Sequence, residues 1–373
     1  MRYVLINDTS STNNPGCQAT VAALQASYRR YDARCVGRVL VGDGYEHFVP
    51  FTEFLKQSSQ SESPHLLQNA FDDCVDALSD HGLDPFGECE FVVINGEGTM
   101  HHDRTGAYLL LGWAALAKQR GLPVAVVNCT IDSFHPFFFR QLNRSVDWLA
   151  VREPCSFEFV RPFHPNVRLG ADAIFSMPAP IVSDRPLQTN RTRVAYTPGV
   201  LSYEGIVSET TVRSHLQSLR QQFDEVEYLS IESEDRAFEP IAAELDCSVH
   251  SLGAFCAVDI EAALASFNCL VSGRYHVCIF GLRAGVPVVP LHSNTWKMRG
   301  LMRFRYLSPR GAQQCEPLNH DSQLADVAAA LTAPARYETP ILSPQEFDFE
   351  KLSALAESNI ACSLVHAQEA AAS

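Results

Sequence analysis

Cys269-Leu270-Val271-Ser272-Gly273-Arg274-Tyr275-His276 opens the stretch that decides the fold, and it closes with Ala284-Gly285-Val286-Pro287-Val288. Residues 269–272 are a short apolar strand. Gly273 permits a tight turn, and residues 276–284 carry helical periodicity. A second strand is expected at 287–291. Strand, turn, helix and strand in so few residues make one parallel crossover unit.

The same alternation runs outward on both sides. In the first half, strands are expected at 3–6, 38–41, 91–94, 124–128, 148–151 and 167–169. Helices are expected at 17–30, 66–78, 108–119, 137–143 and 154–160. Pro178-Ala179-Pro180 and Asp184-Arg185-Pro186 then bracket a segment without periodicity, which reads as a linker. After it come strands at 194–196 and 226–231, the unit around residue 273, and helices at 210–222, 240–245, 259–267 and 296–303. Two Ala-rich helical runs, 324–331 and 352–369, end the chain. The expected fold class is α/β, with two Rossmann-like, doubly wound domains facing a cleft and C-terminal helices. The domains are expected at 1–180, the acceptor side, and 187–340, the donor side. A helical tail, 341–373, could cross back and pack on the first domain.

Bulk numbers set limits. The chain has 373 residues, of which 46% are hydrophobic and 19% charged, as in a well-buried globular protein. The formal charge of -14 argues against a nucleic-acid partner, which needs clustered Lys and Arg. No apolar run approaches the roughly 20 residues of a spanning helix, so no transmembrane segment is expected. No signal-peptide layout precedes the first strand. The 12 cysteines include no Cys-x-x-Cys pair, which reads as free thiols in a reducing, cytoplasmic setting, with no metal site.

Chemistry is sought in the loops after the strands, where open α/β sheets bind ligands. The first such loop runs from Asp8 to Cys17. Asn14 and Gly16 open a helix whose amides suit an anion, although an ordinary strand–helix loop reads the same way. The second is Asn95-Gly96-Glu97-Gly98-Thr99-Met100-His101-His102-Asp103-Arg104. Gly96 and Gly98 let backbone approach a ligand, while Glu97, His101 and His102 are proton carriers. Arg152 follows a strand and could hold an anion or pair with Glu153 or another acid. Asp172 suits capping or domain linking. Gly273, Arg274 and His276 bring a turn, a cation and a proton carrier to one helix N-terminus. Lys297 could add a positive charge nearby.

Taken in order, these motifs resemble the polysaccharide pyruvyltransferase family. Asn14-Pro15-Gly16-Cys17-Gln18-Ala19 resembles its first glycine loop, and Asn95-Gly96-Glu97-Gly98 its glycine-rich strand end. Val151-Arg152-Glu153 with Ser156, and Gly170-Ala171-Asp172, match further segments. The most specific part is the Gly-x-Arg-x-His helix start, the Gly-Val-Pro strand, then Lys297 and Gly300. The chain departs from the family in having Asn-Gly-Glu-Gly where many members have Gly-Gly-Gly, and Tyr275 where an aliphatic residue is common.

The resemblance implies a GT-B-like fold and transfer of an enolpyruvyl-derived unit from phosphoenolpyruvate to two hydroxyls of a sugar, giving a cyclic pyruvate ketal. It implies that Arg274 and His276 serve phosphoenolpyruvate, a co-substrate, with no cofactor. His276 then protonates the enol carbon and Glu97 accepts the sugar's proton. Arg274, Lys297 and Arg152 balance the donor's charge. The acceptor is a sugar or a lipid-linked saccharide, so a peripheral place on the inner face of the membrane is open, as is a homo-oligomer. Two other readings stand beside this one: a GT-B glycosyltransferase using a nucleotide-activated sugar, and a non-catalytic binding protein of the same fold.

Overall fold

The computed structural model describes residues 1–58, 64–80, 85–179, 192–202, 206–307, 316–318, 324, 326–332 and 340–372. It divides into two compact units. Unit 1 comprises Met1–Ser11, Thr20–Ser176 and Leu352–Ser373; unit 2 comprises Thr12–Ala19 and Met177–Lys351. Most of the segment read as a linker, from residue 180 on, lies outside the described residues.

In unit 1 the elements alternate from β1 (Arg2–Asp8) through α1 (Pro15–Arg30), β2 (Arg34–Leu40), α2 (Tyr45–Gln57), α3 (Pro64–Asp80), β3 (Phe91–Asn95) and α4 (Thr105–Gln119). Then follow β4 (Val124–Cys129), α5 (Pro136–Ser145), β5 (Trp148–Val151), α6 (Pro154–Val160) and β6 (Val167–Leu169). The first turn of α1, up to Ala19, counts with unit 2. The sheet order is β2-β1-β3-β4-β5-β6, and every pairing is parallel. Every residue of β3, β4 and β5 is buried, as expected for strands covered on both faces.

Helix α2 was not expected from the sequence. It contains Pro50 and starts after the left-handed Gly44, two signals that normally break a helix. Tertiary packing overrides them: Phe48 and Phe51 lie edge-on to Phe71, and Phe51 edge-on to Tyr108.

Unit 2 repeats the plan with β7 (Arg193–Thr197), α7 (Glu209–Arg220), β8 (Glu225–Ser230), α8 (Glu239–Glu244), β9 (Ser248–Ser251) and α9 (Ala257–Leu264). It continues with β10 (Cys269–Ser272), α10 (Tyr275–Arg283), β11 (Val288–Pro290), α11 (Lys297–Arg303) and α12 (Val327–Thr332). The order is β11-β10-β7-β8-β9, again all parallel. Strand β9 was also unexpected. It is an exposed edge strand with one apolar residue, Val249, so no apolar pattern announces it.

Helix α13 (Phe349–Ala372) closes the chain and, from Leu352, belongs to unit 1. The Tyr28 and Ser363 hydroxyls lie 3.1 Å apart, Arg30 pairs with Glu357 at 2.6 Å, and His366 lies against the Trp148 ring. Among the described residues, no helix is long and apolar enough to cross a membrane. The described cysteines are free; most are buried, but Cys256 and Cys362 are exposed.

Both sheets are doubly wound. The winding reverses between β1 and β3 in unit 1, and between β7 and β10 in unit 2. The crevice at the strand carboxyl ends beside such a reversal is where this architecture binds ligands.

Candidate functional site

In unit 2 the reversal point is built on two touching glycines. A Cβ on Gly273 would stand 2.3 Å from the Pro198 carbonyl oxygen, and one on Gly199 would stand 2.5 Å from the Gly273 carbonyl carbon. Only bare backbone fits there, so the loop after β10 is locked against the loop after β7. Arg274 then caps α10, its N–H bonded to the Ser272 hydroxyl at 3.0 Å.

The Arg274 guanidinium is buried between two carboxylates. It donates to Glu232 at 2.6 Å and to Asp235 at 2.8 Å. Asp235 is held in turn by the backbone N–H groups of Ile231 and Glu232. Burial pushes the Asp235 carboxyl above its ordinary range and draws the guanidinium down. The pair stays charged, because a guanidinium keeps its proton and both partners lie in direct contact. Glu232 also accepts from the Asn14 amide at 2.7 Å, while the Asn14 carbonyl accepts from the Gly16 and Cys17 amides, capping α1. Gly16 lies on the His276 ring, where a Cβ would come within 2.3 Å of Nδ1. The Cys17 sulfur lies within 4.8 Å of a His276 ring nitrogen. Asn14, Gly16, Gly273, Arg274 and His276, chosen from scattered stretches of sequence, therefore form one cluster in unit 2. Lys297 instead donates to Asn294 at 2.9 Å.

In unit 1 the strand ends carry a row of polar groups. Asn7, at φ 61°, donates to the Asn95 carbonyl at 2.6 Å and joins β1 to β3. The Asn95 side chain accepts from the Glu97 amide at 3.2 Å. Gly96 is pressed on Cys129, with room for no Cβ, and Gly98 turns the chain at φ +68°. Arg152 is buried; it donates to Thr130 at 3.0 Å and Asp172 at 3.0 Å, with Glu97 4.0 Å away. Of the partners left open by the sequence, Asp172 and Glu97 are the ones observed. Glu153 instead caps α6 through the Ser156 amide, and burial pushes its carboxyl up to about 7. His101 bonds the Gly98 carbonyl at 3.2 Å, while the His102 ring, half exposed, stands 4.0 Å from Asp132. Those two histidines brace their own loop and the neighbouring β4 loop.

Sequence reasoning missed Glu232 and Asp235, which hold Arg274. They sit in Ile231-Glu232-Ser233-Glu234-Asp235, which looks like a solvated acidic run. The available signal was a carboxylate pair three apart directly after a strand, the spacing of a capping box, which the structure contains.

A family profile described as "Polysaccharide pyruvyl transferase" matches residues 14–294. No curated protein matches the chain. Among solved structures, the chain is similar to UDP-GlcNAc 2-epimerase from Neisseria meningitidis bound to UDP-GlcNAc, at 11% identity and TM-score 0.58, covering 98% of this chain and 100% of that one. It is similar to Arabidopsis thaliana UGT89C1 complexed with UDP, at 11% identity and TM-score 0.58, covering 99% of each. It is also similar to UDP-GlcNAc 2-epimerase from Methanocaldococcus jannaschii, at 10% identity and TM-score 0.55, over 97% of this chain and 99% of that one. At such identities the likeness is one of fold, the GT-B type with two α/β sheets.

Proposed function

We propose that this chain, which belongs to the polysaccharide pyruvyl transferase family, moves the three-carbon unit of phosphoenolpyruvate onto two hydroxyls of a saccharide. The observation that carries the reading is the cluster of Arg274, His276, Asn14 and Gly16 at the winding reversal of unit 2.

The chemistry follows from the groups present. Phosphoenolpyruvate brings a carboxylate and a phosphate, and Arg274 at the N-terminus of α10 offers cation and helix dipole together. As found, the guanidinium carries two carboxylates, a net charge of minus one. An anion can join it only if one carboxylate yields. Asp235 is wholly buried and held by two backbone amides, whereas the Glu232 side chain, which accepts from the Asp235 and Asn14 amides, is 23% exposed. Glu232 is therefore the group that gives way.

In the proposed reaction His276 donates a proton to the methylene carbon, which becomes the methyl group. One sugar hydroxyl attacks the adjacent carbon, phosphate departs, and a second hydroxyl closes the ketal. Glu97 is the proposed acceptor of the hydroxyl proton. Atoms balance as diol plus phosphoenolpyruvate giving ketal plus inorganic phosphate, and no cofactor enters. Lys297 and Arg152 are not assigned to the donor. Lys297 donates to Asn294, and Arg152 is engaged with Asp172 and Thr130.

Calorimetric titration with phosphoenolpyruvate, beside a panel of nucleotide sugars, tests the reading. Binding of phosphoenolpyruvate supports it; binding of a nucleotide sugar alone replaces it with glycosyl transfer.

A further inference from the structure

Cys17 sits in the unit 2 cluster and has no part in the reaction proposed above. It lies in the first turn of the 16-residue α1, and its own amide is bonded to the Asn14 side chain at 3.2 Å. A sulfur at the start of a helix stands near the positive end of the helix dipole.

Two side chains add to this. A His276 ring nitrogen is within 4.8 Å of the sulfur, a gap that one side-chain rotation or one water closes. Contact with Gly16 holds that ring against the first turn of α1. The charge of an anionic Cys17 sulfur also reaches the Arg274 guanidinium and opposes the effect of burial there. The attraction is mutual, so the guanidinium favours the anionic sulfur in turn. Glu232 and Asp235 flank the same guanidinium and oppose a lone anion, but they favour a cationic ring at His276. Transfer of the thiol proton to His276 makes thiolate and imidazolium together, and each then has opposite charge close by.

The exposed cysteines have different surroundings. Cys256 also stands at a helix start, as the N-cap of α9, but its sulfur donates to the Asp259 carboxylate at 3.0 Å. An acid in that place disfavours the anion. Cys362 lies well inside α13. Cys17 is half-buried, so exposure alone ranks it below both, whereas charge ranks it above them.

We propose that Cys17, with His276 as its base, is a reactive thiol and a site of modification by hydrogen peroxide. The anionic sulfur attacks one peroxide oxygen; an S–O bond forms and the O–O bond breaks. The sulfur is oxidised by two electrons to a sulfenic acid, the peroxide is reduced, and the leaving hydroxide takes the His276 proton to depart as water. The proposal does not depend on what the donor is. It adds a reversible covalent change beside His276 and Arg274.

The test exposes the full chain to hydrogen peroxide with dimedone present to trap sulfenic acids, and follows each cysteine by peptide mass spectrometry. Cys17 should label at least about tenfold faster than Cys256 and Cys362. His276→Asn should slow Cys17 about tenfold and leave the other two unchanged. Labelling of Cys17 no faster than the exposed pair, or unaffected by His276→Asn, overturns the proposal. The buried Cys278 reports on folding: if it labels in His276→Asn, the ranking within the unaltered chain decides alone. If phosphoenolpyruvate fails to bind while Cys17 keeps its rank, the thiol assignment stands and the donor reading falls.

Discussion

Each unit places one buried arginine at its strand ends between two acids, yet the two arrangements differ in accessibility. In unit 1, Arg152 faces Asp172 and Glu97, whose side chains are 0% and 5% exposed. In unit 2, Arg274 faces Asp235, fully buried, and Glu232, 23% exposed. The first arrangement is nearly closed to solvent, with Glu97, the proposed base, its more exposed acid. The second has one partly exposed carboxylate, Glu232. The same ion-pair device thus differs between the units in how far its acids meet solvent, and the proposed donor site is the more open of the two.

That contrast can be broken by mutation. The largest effect is expected at His276. His276→Ala should lower kcat by about 10²- to 10⁴-fold, the usual worth of a general acid, with the melting temperature unchanged. A variant that loses stability instead would make the ring a packing element against Gly16.

Next comes the less exposed side. Arg152→Ala strands two buried carboxylates and should cost about 3–5 kcal/mol of stability, read by denaturant melts. A loss under about 1 kcal/mol would mean that solvent reaches the row, and the two units would no longer differ.

Glu232→Gln should have a smaller and opposite effect. Removing the competing charge while keeping the shape should tighten phosphoenolpyruvate binding about fivefold, measured by titration, with little change in stability. Weaker binding would show that Glu232 positions Arg274 and does not compete for it.

How much of this was legible follows from where the signals lie. The loops after β3 and β10 stood out because glycines required by close backbone packing sit beside His, Glu and Arg in a few consecutive residues. The all-buried strands were legible because their apolar runs are unbroken. Glu232 and Asp235 were not, since an acidic run after a strand looks like surface until the arginine it holds is seen. Helix α2 was hidden by Pro50 and Gly44, and β9 by its exposure. The role of Asn14 was half legible: a helix cap was readable, but its bond to Glu232 spans 218 positions of sequence.

A further expected effect concerns pH and lies in unit 1, away from both arginines. His164 of unit 1 is buried with Nε2 at 3.1 Å from the Val146 carbonyl, and burial holds its pKa below the usual 6.5. The folded state keeps it neutral while the unfolded chain takes up a proton. Its contribution is therefore complete above pH 6.5 and declines as pH falls from there toward the depressed value, by at most about 1.4 kcal/mol per pH unit. His164→Asn should flatten this acid limb in urea melts at pH 5 to 7. An unchanged slope would assign the acid sensitivity elsewhere.

The central claim, that unit 2 is built for phosphoenolpyruvate, is tested most directly by titrating the purified chain with phosphoenolpyruvate and with nucleotide sugars in parallel, following heat and melting temperature. Saturable phosphoenolpyruvate binding that raises the melting temperature, with nucleotide sugars inert, is the predicted result. Stabilisation by a nucleotide sugar with none by phosphoenolpyruvate would contradict it.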